Sequence, residues 1–168
     1  TDLERLRCLA RALRAAEAAE EIRRPLGALG GAAGRSPTSV AAGEAFAGTL
    51  KNLRLAVSAA DPAVSRAATE SLAGLGLYTS PPPAPYTLQA AVDVSIVDRG
   101  DPTWTYAHWK SRVEVLDGRR VAGAASREGQ VGQLSPEAAR QKALQDGIKA
   151  IREGLVRRAL LGDESSKP

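Results

Sequence analysis

The chain has 168 residues, enough for one domain or two small ones, and a mildly positive net charge of +4. Its apolar fraction of 43% is ordinary, but aromatics make up only 4%. Packing must therefore rely on closely approaching elements and small side chains. A single cysteine, Cys8, excludes an intrachain disulfide and a cysteine-based zinc site, and a single histidine, His108, excludes a histidine cluster. The basic residues are spread along the chain and interleaved with Glu and Asp, so no nucleic-acid partner is expected. No apolar run is long enough to span a bilayer.

Residues 2–30 are strongly helical in pattern. Leu3, Leu6, Leu9 and Leu13 make an apolar stripe flanked by Arg5, Arg7, Arg11 and Arg14, and Cys8 reads as a half-buried small residue beside it. Pro25 should kink or shorten the end of this segment. Gly30 to Thr38 is a Gly/Ala/Ser/Pro loop without the ending of a phosphate-cradling loop. Residues 40–59 then carry Phe46, Leu50, Leu53 and Val57 at helical spacing. A competing reading makes Leu53-Arg54-Leu55-Ala56-Val57 a short strand, since those five residues alternate.

The stretch from Asp61 to Gly76 has the clearest helix punctuation in this half. Asp61 is placed to cap, Pro62 sits at the first helical position, and Val64, Ala68, Leu72 and Leu75 follow at helical spacing before Gly74 and Gly76 end the run. Leu26-Gly27-Ala28-Leu29-Gly30 echoes its ending. The sequence D-P-A-V-S-R-A-A-T-E-S-L-A-G-L-G resembles the second helix of the HEAT repeat family, with Ser65 and Ala73 as departures. That resemblance implies stacked, protein-binding antiparallel helical hairpins over residues 1–78.

Thr79-Ser80-Pro81-Pro82-Pro83-Ala84-Pro85 cannot continue a helix and is read as a linker over residues 79–85. Beyond it the period falls to two. Leu88, Ala90, Val92, Val94 and Ile96 face one way, with Thr87, Gln89, Asp93 and Ser95 opposite. Asp98 to Pro102 forms a turn, and a second strand runs from Trp104 to Leu116 with Ala107, Trp109, Val113 and Val115 on one face. Asp117-Gly118 suggests a two-residue type I′ hairpin, returning through a strand rich in small residues from Arg119 to about Gln130. Ser135, Pro136 and Glu137 then open a long helix with Leu144, Ile148, Ile151, Leu155 and Ala159 on one stripe, ended by Gly162. The expected fold is α+β: helical hairpins, then over residues 86–162 a three-stranded antiparallel meander closed by one long helix, with residues 163–168 a flexible tail.

Three segments of the second half are similar to modules of bacterial envelope lipoproteins of the LPP20 and CsgG-like families. These are the Tyr86-Thr87-Leu88 strand opening, the Val113 to Gly118 hairpin, and the Ser135 to Ala139 helix start. If residues 53–57 form a strand, the module extends back to it as β-α-β-β-β-α. The resemblance implies a periplasmic or outer-membrane location, with the cytoplasm as the alternative. Thr1 and the absence of methionine mark the chain as a piece of a longer product, so any lipid anchor is expected outside the numbered residues.

Catalytic candidates are sparse. His108 has no evident orienting partner and is expected on a solvent face. Asp93, Asp98, Asp101, Glu114 and Asp117 leave open a carboxylate-dependent hydrolase, although each has a structural use at a turn or on a polar strand face. The chain therefore reads as a non-enzymatic adaptor or scaffold within a larger complex, without cofactor, catalytic set or metal. The alternative is a single lipoprotein assembly module. The expected partner-binding residues are Trp104, Tyr106, His108 and Arg112, an aromatic strip bordered by arginine, unless helices of the first half cover it.

Overall fold

A computed structural model describes residues 1–27, 37–100 and 103–162, with side chains from 1–22 in the first segment. The chain divides into two compact units, Thr1–Leu53 and Arg54–Pro168. The division therefore falls at Leu53, not at the proline-rich segment, which lies inside the second unit. The physical reason is that Thr79 and Ser80 join the sheet: Thr79 bridges Leu55 in parallel, and the Ser80 amide donates to the Leu55 carbonyl at 2.8 Å.

In the first unit, α1 spans Asp2–Gly27 and α2 spans Pro37–Asn52. They pack against one another. The hairpin is antiparallel, since Ser39 donates to the Glu20 carboxylate while Gly43 faces Leu13. Leu3, Leu6 and Ala10 are the buried stripe of α1, whereas Leu9 and Leu13 are half-buried. Cys8 is exposed rather than half-buried, because its position falls outside that stripe. The helix runs two residues past Pro25 before ending. The expected 30–38 loop lies outside the described residues up to Ser36, as do the Ala28–Gly30 end of the glycine echo, Asp101 and Pro102, and the 163–168 tail.

The second unit begins with β1, Leu55–Ser58, followed by α3, Pro62–Gly74. Of residues 53–57, Leu55 to Val57 fall in strand β1, so the helix expected over residues 40–59 forms only as far as Asn52, where α2 ends. Within its own unit α3 packs on β1, β2 and the C-terminal helical segments. Its punctuation is as read. Asp61 accepts hydrogen bonds from the amides of Ala63 and Val64 at 2.7 and 3.4 Å. At the other end Leu77 N donates to Leu72 O and Gly76 N to Ala73 O, both at 2.9 Å, with Gly76 at φ 78°. This is a Schellman motif, and Leu72 and Leu77 bury the apolar contact that accompanies it.

Strands β2 (Tyr86–Val97), β3 (Thr105–Asp117) and β4 (Arg120–Gln133) form the expected antiparallel meander. With β1 parallel to β2, the sheet is four-stranded and mixed, in the order β1-β2-β3-β4. The hairpin loop is Gly118-Arg119, with Gly118 at φ 59° and Arg119 not at positive φ. A type I′ turn needs positive φ at both central residues, so the single left-handed glycine fits type II′ instead.

The final helical region is α4 (Pro136–Ala150), a π-turn (Ile151–Leu155) and α5 (Val156–Leu161). It is not one uninterrupted helix, because Gly154 adopts φ 135° and breaks the ladder. The face of α4 toward the sheet is also smaller than expected. Ala139, Ala143, Gly147 and Ala150 are buried, while Leu144 and Ile148 are half-buried. Close approach explains this. The buried Ser111 hydroxyl on β3 donates to Gly147 O at 2.8 Å, and Val92 occupies the space a side chain at 147 would need. Among the described residues no helix is long and apolar enough to cross a membrane.

Candidate functional site

Alternation along β3 separates two environments. Ala107, Trp109, Ser111, Val113 and Val115 are buried on the helix-covered face. Tyr106, His108, Lys110, Arg112 and Glu114 occupy the other face, at least partly in solvent. Trp104, just before the strand, is 45% exposed. The structure therefore brings Trp104, Tyr106, His108 and Arg112 to the one open face that the sequence assigned to them. Each of these side chains keeps part of its surface in solvent.

Register supplies what the sequence could not, namely the partners across strands. Asp93, Lys110 and Glu128 lie in one cross-strand row, and Ser95, His108 and Gln130 in the next. Arg112 Nη2 donates to Asp93 Oδ2 at 2.8 Å. Both groups are more than half exposed, so the pair orients the guanidinium more than it stabilises the fold. His108 Nε2 stands 3.9 Å from Glu128 Oε2, an ion pair only when the imidazole is protonated. Arg99, from the β2–β3 loop, stacks over the Tyr106 ring at 5.0 Å and donates to Gln130 Oε1 at 2.6 Å. Gly132 leaves the space beneath Tyr106, with the Trp104 ring alongside. Arg99 and Gly132 are thus parts of the strip that sequence reasoning missed.

Further along the same face, Ser58, Ala60, Gln89, Ala91, Arg112 and Glu114 line a shallow open cleft of ≈ 340 Å³. Of the carboxylates considered for hydrolysis, Asp93 is paired with Arg112, and Asp98 accepts the Gly100 amide at 2.8 Å to close its turn. Glu114 lines the cleft, Asp117 ends β3, and Asp101 lies outside the described residues. Among the described residues no group of three or more His, Cys, Asp or Glu could hold a metal ion. In α1, the Arg7 guanidinium is held below its ordinary value, chiefly by burial and then by Arg11, with Glu4 opposing.

No family model matches the chain. No curated protein matches it in sequence. Among solved structures, the fold is similar to a minor lipoprotein from Acinetobacter baumannii, at 10% identity and TM-score 0.48, over 66% of this chain and 90% of that one. It is also similar to the rare lipoprotein B from Shewanella oneidensis, at 17% identity and TM-score 0.38, over 65% of this chain and 92% of that one. A lipoprotein from Neisseria meningitidis is similar at 10% identity and TM-score 0.36, over 61% of this chain and 99% of that one.

Proposed function

We propose that this chain is a non-enzymatic protein-interaction module of the bacterial cell envelope, working as one part of a larger complex. The observation that carries the reading is the open sheet face. It presents Arg99 on Tyr106, Trp104 beside them, and Arg112 held by Asp93 on a rigid three-stranded platform. Tyr, Trp and Arg are the residue types that dominate binding hot spots, and fixing their rotamers beforehand lowers the ordering entropy of association.

Of the two arrangements considered, the single assembly module is favoured over repeats with a cap. The β-α-β-β-β-α order from β1 to α4 is the one the LPP20 and CsgG-like resemblance implies when residues 53–57 are a strand. The envelope location rests on that same resemblance, carried by the Tyr86, Val113 to Gly118 and Ser135 to Ala139 segments. A lipid anchor outside the numbered chain fits this location.

Site-specific photo-crosslinking in the native host tests the proposal. A crosslinking residue at Lys110, in the middle of the open face, is expected to trap one discrete envelope protein. The same residue at Arg140, exposed on α4, is expected to trap none. Equal trapping from both positions, or a trapped species that is cytosolic, would overturn the reading.

A further inference from the structure

The pairing register gathers arginines that are far apart in sequence at one end of the sheet. Leu55, Tyr86, Asp117 and Arg120 lie in one row across the four strands, and Thr79 extends it beyond Leu55. The positions just outside that row are Tyr78, Arg54, Pro85, Gly118 and Arg119, and Val121 follows Arg120. All five of Arg54, Tyr78, Arg119, Arg120 and Val121 are exposed, Tyr78 by 82% and Val121 by 52%. None of the three arginines forms an ion pair among the described residues. Elsewhere among the described residues of this unit five basic side chains have carboxylate partners and six, including Arg66 and Arg140, do not. Arg54, Arg119 and Arg120 are thus set apart by sharing one end of the sheet.

We infer that this end of the sheet docks on an anionic lipid surface. Three guanidiniums, none in an ion pair, outnumber the one carboxylate of this row, Asp117, and so give the sign of the partner. Their planar forks suit phosphate oxygens. The exposed ring and aliphatic side chain beside them distinguish a membrane from a free anion. An amphipathic ring with basic neighbours suits the headgroup boundary, where Tyr and Arg are anchoring residues. At about 4.8 Å per strand the row from Tyr78 to Arg119 spans roughly 20 Å, wide enough to meet several headgroups at once. The contact uses the sheet end and leaves the open face to the protein partner, so it stands or falls independently of that reading.

Flotation of the purified chain with vesicles of phosphatidylethanolamine and phosphatidylglycerol, against phosphatidylcholine alone, is the direct test. Binding is expected only to the anionic vesicles and should fall as salt is raised. The triple variant Arg54→Gln/Arg119→Gln/Arg120→Gln is expected to lose about a hundredfold in partitioning, roughly fivefold per arginine. A charge-matched control, Arg66→Gln/Arg140→Gln/Lys149→Gln, is expected to bind as the parent does. Tyr78→Ser/Val121→Ser should weaken vesicle binding at every salt concentration. Circular dichroism of each variant checks that the fold is retained. Equal loss in the control would reduce the effect to net charge and overturn the inference, as would parental binding by the triple variant. Binding unchanged by Tyr78→Ser/Val121→Ser would also overturn it, because the site would then hold anions without a lipid surface.

Discussion

The Trp109 indole lies directly over Gly129 on the neighbouring strand, and a Cβ built at Gly129 would stand 2.6 Å from Trp109 Cζ2. The small residues of β4 are therefore spaces that the scarce aromatics of this chain fill. Gly129→Val is expected to destabilise the second unit by about 1–3 kcal/mol, through overpacking that displaces the indole. Chemical denaturation followed by tryptophan fluorescence measures it. An unchanged midpoint would mean that Trp109 can repack freely.

Ser111 is the buried polar counterpart of that contact, donating to Gly147 O where α4 crosses the sheet. Gly147→Ala should be more damaging than Ser111→Ala. The added methyl meets Val92 and the Ser111 hydroxyl, whereas the serine variant loses one hydrogen bond to a carbonyl that the Ile151 amide still satisfies, a change of about 0.5–1.5 kcal/mol. Parallel denaturant titrations give the order, and a reversed order would show that α4 can lift off the sheet cheaply.

Asp61→Ala removes the side chain that accepts the Ala63 and Val64 amides. The expected loss is about 1 kcal/mol, with Asp61→Asn retaining most of the stability. Thermal melts of both variants separate loss of the cap from loss of charge, since a charge effect would make the two equally destabilised.

Most signals between neighbours in the chain were read correctly, the Asp117-Gly118 turn type being the exception. The Asp61 and Ser135 caps, the alternation of β2 and β3, and the placement of Trp109 opposite Trp104 and Tyr106 all stand. Signals that depend on a distant partner were not legible. Leu55 and Ala56 are both buried, so β1 lacks the one-sided pattern that would have favoured strand over helix outright. The buried face of α4 was assigned to its largest residues, yet proximity to Val92 selects its smallest. The stacking of Arg99 on Tyr106 and the row joining Leu55 to Arg120 depend on register across several strands, which composition and period do not specify.

Residues 54–162 are expected to fold alone, and residues 79–162 are not. In the shorter piece β2 loses its parallel partner β1, and the faces that cover Leu55, Ala56, Val64, Ala67, Ala68 and Leu72 lose those side chains. Burying such apolar groups contributes about 1.5–3 kcal/mol for each large one, more in total than the usual margin of a small domain. Ser71, which donates to Ile151 O at 3.3 Å near the Gly154 break, would also be gone from the π-turn. Far-ultraviolet circular dichroism and a cooperative urea transition on each piece decide the matter. A cooperative transition in 79–162 alone would restore the proline segment as the domain boundary and free α3 for the helical repeat its sequence resembles. A cooperative transition only in 54–162 would make β1 and α3 integral parts of the module.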